Sequence, residues 1–207
     1  MPVPRLLVAT TNPGKLEEIS EILSGLPVQL ETLAAWPAVP PPDETGTTFA
    51  ENARLKAAYY AAASGLPTVA EDSGLEIEGL GGRPGVESAR FGGPGSSYPE
   101  KFALIYQGLA AAGSGARGAR FVCALALAGP MGIVFEAEGT VSGEVAAEPK
   151  GTAGFGYDPI FYYPPFGCTL AEAGARKREV SHRAAAFAQL RAFLRDHSPS
   201  GERRAPR

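Results

Sequence analysis

A polar stretch near the start of the chain combines residue types that bind anions. The segment TTNPGK (residues 10–15) follows a short apolar run and precedes a helical pattern. Backbone N–H groups at a helix start, with hydroxyl and amide side chains, form a phosphate cradle, and Lys15 adds a full positive charge. A lysine there otherwise opposes the positive end of the helix dipole. The stretch predicts a phosphate-binding loop or, alternatively, an ordinary capped turn with a solvated lysine. It matches neither the Walker A pattern nor GxGxxG.

Two acidic pairs are candidates for a metal site. Asp43 and Glu44 follow a proline-rich loop, and Glu71 and Asp72 follow a short apolar run. Carboxylates bind hard cations such as Mg²⁺, which take oxygen ligands from protein and phosphate together. The alternative for Asp43 and Glu44 is a pair of solvated loop acids. The sequence Asp-Ser-Gly at residue 72 predicts a sharp turn that exposes the carboxylate at the edge of a sheet.

Lys56 lies on an otherwise apolar face of a predicted helix. Asn52 is four residues earlier, so the two side chains share that face. A lysine in this position either extends its ammonium group to solvent or meets an anion. The sequence leaves both readings open.

Two further motifs lie in the last third of the chain, GFGYDP (residues 154–159) and KREVSHR (residues 177–183). Phe155 and Tyr157 in a glycine-rich loop could provide a stacking face for a base, with Asp158 as an acceptor beside it. The basic residues and the histidine of the second motif could donate hydrogen bonds to carbonyl oxygens. A core aromatic cluster and a capped helix start are the alternatives.

The elements that must position these residues follow from hydrophobic periodicity. Helices are predicted at residues 15–23, 49–64 and 99–112 and after the cap residue Ser181. Thr11 or Asn12 is the predicted cap of the first helix. Thr48 and Glu51 form a capping-box pattern at the start of the second, and Gly65 is predicted to end it. Strands are predicted at residues 5–10, 28–33, 68–70, 75–80, 121–128, 133–145 and 160–163. Helices and strands alternate first and a meander follows, which predicts an α/β fold with a mixed sheet.

The composition narrows the class of protein. A chain of 207 residues with a net charge of −3 predicts one domain, residues 1–197, and argues against a general nucleic-acid binder. No apolar run is long enough for a membrane span and no signal peptide is evident, so we expect a cytoplasmic protein. Cys123 and Cys168 are far apart and predict reduced thiols, with neither zinc site nor disulfide. Residues 198–207 are predicted to be a disordered tail.

Together the motifs resemble the inosine-triphosphate pyrophosphatase family. TTNPGK, DETGTTFAENARLKA, AEDSGLEI, GGRPGVESARF, GTAGFGYDPIF and SHR occur in that family's order and spacing over residues 8–194. The resemblance implies a long bent mixed sheet flanked by helices, in two lobes with a central cleft. It also implies a homodimer that hydrolyses ITP, dITP and XTP to the nucleoside monophosphate and pyrophosphate with Mg²⁺.

The resemblance also implies roles for individual residues. Asp72 would be the general base and a metal ligand, with Glu44 or Asp43 as the second metal acid and Glu44 preferred. The residues implied to bind phosphate are Thr10, Thr11, Asn12, Pro13, Gly14, Lys15 and Lys56. Those implied to contact the rest of the nucleotide are Ser73, Phe155, Gly156, Tyr157, Asp158, Lys177, His182 and Arg183.

Two positions depart from the family pattern and two other functions remain as alternatives. Thr11 stands where many bacterial relatives have glycine, and Glu71 stands where many have aspartate; both keep polar or charged groups. A relative that cleaves other nucleotides, such as modified pyrimidine triphosphates, is one alternative. A nucleotide-sensing module without catalysis is the other.

Overall fold

The computed structural model of the protein describes residues 4–113 and 115–197, and the predicted tail of residues 198–207 lies outside them. In these two ranges the strands are β1 (Arg5–Val8), β2 (Gln29–Thr32), β3 (Thr68–Ile77), β4 (Gly118–Gly129), β5 (Gly132–Val145), β6 (Phe161–Tyr163) and β7 (Cys168–Thr169). The helices are α1 (Pro13–Ile22), α2 (Phe49–Ser64), α3 (Tyr98–Ala112), α4 (Leu170–Ala173) and α5 (His182–Asp196). None of the helices in the described ranges has the length and apolar character needed to cross a membrane.

The strands form one mixed sheet in the order β2-β1-β3-β4-β5-β6-β7. β1 pairs in parallel with β2 and β3, whereas the neighbours from β3 to β7 pair antiparallel. The parallel part is possible because α1 and α2 provide the crossover connections between its strands. The predicted α/β fold with a mixed sheet is confirmed.

Both faces of the central strand β4 are covered by helices. Cys123, Leu125 and Leu127 pack in a cluster with residues of α1 and α5. Ala126 and Ala128, on the opposite face, pack against α2. Because neither face meets water, the strand is apolar at successive positions instead of alternating.

The helix α2 has the bounds predicted from its capping residues. Thr48 and Glu51 form a reciprocal capping box at its start, and Gly65 ends it with φ +69°. Ala53 and Ala57 are fully buried against the sheet. The small side chains let the helix lie close to β3, so polar residues on its inner face reach that strand.

The predicted turn at residues 71–74 is wrong. β3 continues through these residues and pairs with β4 at every position from Thr68 to Ile77. Gly74 is present for another reason, because a Cβ at this position would lie 2.3 Å from Ser88 Oγ and 2.6 Å from Gly85 O. The glycine therefore allows the loop of residues 85–89 to approach the strand closely. As a result, Asp72 lies in the middle of a strand and not at an exposed turn.

Candidate active site

A cleft of about 330 Å³ gathers most of the residues singled out in the sequence. The predicted residues that line it are Thr10, Thr11, Asn12, Lys15, Glu44, Lys56, Asp72, Ser73, Phe155, Gly156, Tyr157, Asp158, Lys177, His182 and Arg183. Pro13 and Gly14 instead form the first turn of α1, and Asp43 is exposed outside the lining. Of the two candidate metal acids beside the proline loop, only Glu44 faces the cleft.

The start of α1 forms one end of the cleft. Asn12 caps the helix, because its Oδ1 accepts a hydrogen bond from Lys15 N at 3.1 Å. Thr10 Oγ1 in turn accepts one from Asn12 N at 3.2 Å. Pro13 occupies the first helical turn, where its missing N–H costs nothing. The polar stretch thus forms a capped helix start whose Thr10, Thr11, Asn12 and Lys15 also face the cleft.

Glu71 neutralises the lysine at this helix start. Lys15 Nζ lies 2.8 Å from Glu71 Oε1, and the Glu71 side chain is only 1% exposed. Arg183 Nη2 lies 3.6 Å from the same oxygen. Burial alone would raise the pKa of Glu71, but the charges of Lys15 and Arg183 outweigh it and hold the pKa far below its usual range. Glu71 is therefore ionised, a role that the sequence did not indicate.

Asp72 faces a different set of partners. Its Oδ2 accepts a hydrogen bond from Asn52 Nδ2 at 3.0 Å, and its Oδ1 lies 3.4 Å from Lys56 Nζ. Lys56 Nζ also donates to Glu44 Oε1 at 2.7 Å, so the lysine meets anions and does not extend to solvent. Burial raises the pKa of Asp72 above its ordinary value, although Lys56 opposes the shift.

The other end of the cleft is built around Asp158. Its Oδ2 accepts hydrogen bonds from Lys177 Nζ at 2.8 Å and from Phe155 N at 2.9 Å, which fixes the glycine-rich loop. Lys177 Nζ also lies 4.4 Å from the centre of the Phe155 ring and 3.2 Å from Glu18 Oε1. Burial raises the pKa of Asp158, against the opposing charge of Lys177.

Arg183 and His182 lie between the two ends. Arg183 is 1% exposed and donates to Glu18 Oε2 at 2.6 Å and to Ser73 Oγ at 3.0 Å. His182 stacks on Phe121 with ring centres 4.9 Å apart. Burial, reinforced by Arg183, lowers the pKa of His182 well below its usual value, so the imidazole is neutral at pH 7.

Two buried nitrogens of this pair lack a hydrogen-bond partner in the described part of the chain. Arg183 Nε and His182 Nδ1 are buried and have no hydrogen-bond partner among the described residues. A buried polar atom without a partner is unfavourable unless something else satisfies it. The two atoms belong to side chains that line the cleft, which makes them candidate contacts for a bound molecule.

Sequence reasoning named Tyr157 but missed Lys101 and gave no role to the loop of residues 85–89, which supports the cleft from behind. Tyr157 Oη donates to Ser88 O at 2.8 Å, and the buried Lys101 donates to Ala89 O at 2.6 Å, so both hold the loop of residues 85–89. Glu18, on α1, was not singled out either. The only sequence signal for Glu18 is its place one helical turn after Lys15, which by itself predicts an exposed acid.

The chain matches the sequence model of the Ham1 family over residues 6–193. A relative named dITP/XTP pyrophosphatase from Exiguobacterium sp. strain AT1b is 47% identical over 92% of this chain and 96% of its own length. A relative with the same name from Thermus thermophilus is 46% identical over 96% of this chain and 95% of its own.

Solved structures have the same fold. A HAM1 protein from Coxiella burnetii superposes with a TM-score of 0.86 at 38% identity, covering 93% of this chain and 99% of its own. The nucleoside-triphosphatase named dITP/XTP pyrophosphatase from Mycobacterium abscessus gives a TM-score of 0.75 at 41% identity, covering 90% and 98%.

Proposed function

Because this chain belongs to the Ham1 family, as its motifs predicted, we propose that it hydrolyses deaminated purine nucleoside triphosphates. The substrates are ITP, dITP and XTP, and the products are the nucleoside monophosphate and pyrophosphate. One observation carries the proposal: a single cleft has cations and a buried carboxylate at one end, the Phe155 ring at the other, and the donors Arg183 and His182 between them. A triphosphate and its purine base match these two ends.

The phosphate end accounts for substrate binding. Lys15, Lys56 and the first N–H groups of α1 offset the charge of the triphosphate. Thr10 and Asn12 add polar contacts at the same helix start. Since both lysines are paired with carboxylates in the free protein, a bound polyphosphate competes with those carboxylates for them.

Asp72 is the proposed general base. Its raised pKa and buried position suit a group that accepts a proton. Asp72 takes a proton from the attacking water, whose oxygen bonds to the α-phosphorus. The bond from that phosphorus to the bridging oxygen breaks, and pyrophosphate leaves with the bonding pair.

Glu44 and Asp72 are the residues that would hold Mg²⁺. Their carboxylates share the Lys56 ammonium, so both lie around a single position of positive charge. Oxygen ligands of this kind suit Mg²⁺, which keeps its remaining positions for water and phosphate. When bound, the ion supplies positive charge that stabilises the leaving pyrophosphate.

Base selection follows from hydrogen-bond polarity. Hypoxanthine and xanthine carry a 6-oxo acceptor where adenine carries a 6-amino donor. His182 and Arg183 offer donors, and each has a buried nitrogen without a partner among the described residues. The 6-amino group of adenine would face the donors of His182 and Arg183. Each polar group left unpaired costs about 1–3 kcal/mol of binding free energy, which favours ITP and XTP over ATP.

The experiment that tests the proposal is a substrate panel. The pure protein is incubated with Mg²⁺ and, separately, ITP, XTP, GTP, ATP and dTTP. Pyrophosphate is expected from ITP and XTP far faster than from the others. Orthophosphate as the direct product would place cleavage at another bond, and equal rates on ATP or dTTP would reject the proposed selectivity.

The family resemblance also supports a homodimer in the cytoplasm that acts on free nucleotides, without nucleic acid or membrane as partners. Light scattering on the purified chain tests the dimer. A monomer at micromolar concentration would contradict that part of the proposal.

A further inference from the structure

The Lys56 ammonium group contacts both Glu44 and Asp72, the two carboxylates that would hold a metal ion. Its Nζ is 2.7 Å from Glu44 Oε1 and 3.4 Å from Asp72 Oδ1. The side chain is 13% exposed, so water screens these contacts less than on the surface. In the free protein, an ammonium group therefore already neutralises part of the charge that would attract a divalent cation.

Groups other than Lys56 hold the Asp72 carboxylate and the loop that carries Glu44. Asn52 Nδ2 donates to Asp72, and Asn52 Oδ1 accepts from Gly46 N at 2.8 Å. This one amide ties the centre of β3 to the loop that carries Glu44. The ammonium of Lys56, in contrast, is at the end of a flexible four-carbon chain. Asp72 and the loop that carries Glu44 can therefore stay in place while the ammonium group moves.

We propose that Lys56 is an internal counter-ion that keeps metal out of the free protein and moves to phosphate when the metal arrives with the substrate. The second half of this statement rests on the proposed function, because a polyphosphate supplies the anion that receives the lysine. The first half does not. It requires only that one ammonium group and a divalent cation compete for Glu44 and Asp72.

Competition of this kind has a thermodynamic consequence. A ligand that binds one state of the protein better than another shifts the protein toward that state, and the coupling is reciprocal. An anion that draws Lys56 away raises the affinity of the carboxylates for metal. Removal of the lysine charge has the same effect without any nucleotide, which makes the proposal testable on the free protein.

The test is a titration of the nucleotide-free protein with Mn²⁺, followed by electron paramagnetic resonance of the free ion. Wild-type protein is expected to bind weakly, whereas Lys56→Met is expected to gain one site with at least about tenfold higher affinity, since contact charges interact strongly at low exposure. Adding Glu44→Gln to Lys56→Met should remove the gain, which locates the site.

Lys177→Met is the matched control. It removes one positive charge from the same cleft, but its partners are Asp158 and Glu18. Its Mn²⁺ affinity is expected to equal that of wild type. An equal gain in Lys177→Met, or no gain in Lys56→Met, overturns the proposal. Micromolar Mn²⁺ binding by the wild-type protein also overturns the proposal, and this measurement does not depend on whether the variants fold. If Lys56→Met is unstable, Lys56→Gln takes its place.

These outcomes are independent of the substrate panel. Mn²⁺ binding is measured without nucleotide, so a failed hydrolysis assay does not alter it. Conversely, selective hydrolysis of ITP with no gain of metal affinity in Lys56→Met would reject the counter-ion role and leave the proposed activity intact.

Discussion

Two adjacent carboxylates at the centre of β3 have opposite surroundings. Successive strand residues point to opposite faces, and Glu71 and Asp72 follow that rule. Glu71 meets the cations Lys15 and Arg183. Asp72 instead accepts from the neutral amide of Asn52 and shares Lys56 with Glu44.

The difference separates a structural anion from a candidate base. Cations lower the pKa of Glu71 far below its usual range, whereas burial leaves the pKa of Asp72 raised. The first carboxylate stays ionised and fixes the cations around it. The second is held where it can accept a proton. Adjacent acids thus acquire different chemistry because the sheet places different neighbours against them.

The largest expected effect is on stability and differs between the two acids. Glu71→Gln removes the buried anion that Lys15 and Arg183 share, although Arg183 keeps Glu18. It should lower the free energy of unfolding by about 3 kcal/mol, the lower end of the range for breaking a buried ion pair. Asp72→Asn keeps the shape and removes a carboxylate whose charged form burial disfavours, so we expect a change below about 1 kcal/mol. Urea denaturation of both variants measures the two free energies of unfolding. Equal decreases would contradict the proposed difference between Glu71 and Asp72.

Turnover should depend on Asp72, the acid whose replacement is expected to change stability little. Asp72→Asn is expected to bind ITP but to lose kcat by at least about a hundredfold, the range for a general base. Single-turnover release of pyrophosphate measures it. The exposed Asp43 provides the matched control, and Asp43→Asn should leave kcat unchanged. Near-normal turnover in Asp72→Asn would remove Asp72 from this role.

The buried His182 predicts a pH dependence of the free energy of unfolding. Because burial lowers the pKa of His182 in the folded protein, this imidazole takes up a proton near pH 6.5 only in the unfolded chain. Stability is therefore fully present above about pH 6.5 and falls below it, by up to about 1.4 kcal/mol per pH unit. His182→Gln should remove that component between about pH 7 and 5. The exposed His197 gives the control: His197→Gln should retain it, and equal slopes in the two variants would contradict the assignment.

The smallest expected effect tests the contact between the two ends of the cleft. A Cβ on Gly14 would lie 2.9 Å from the Phe155 ring. Gly14→Ala should displace that ring and raise KM for ITP about fivefold, equivalent to about 1 kcal/mol, with kcat little changed. Gly108→Ala in α3 is the control, because its Cβ meets only the flexible Leu80 side chain at 3.0 Å. The same KM in both variants would mean that the ring does not contact the substrate.

The sequence by itself determined the local elements. Thr48, Glu51 and Gly65 predicted both ends of α2, and Asn12 was among the cap residues predicted for α1. The reason is that capping and turn rules act over a few residues. The family motifs also named most of the residues that line the cleft, because those residues recur at fixed places along the chain.

Only the tertiary structure decided how the acids and cations pair. Lys15 meets Glu71, and Arg183 meets Glu18 across 165 positions of sequence, pairings that depend on how α1, β3 and α5 pack. Gly74 was read as a turn residue because the close approach of Ser88 is a long-range contact. Residue types and local spacing predict what a side chain can do; packing between distant segments decides which partner it meets and whether water reaches it.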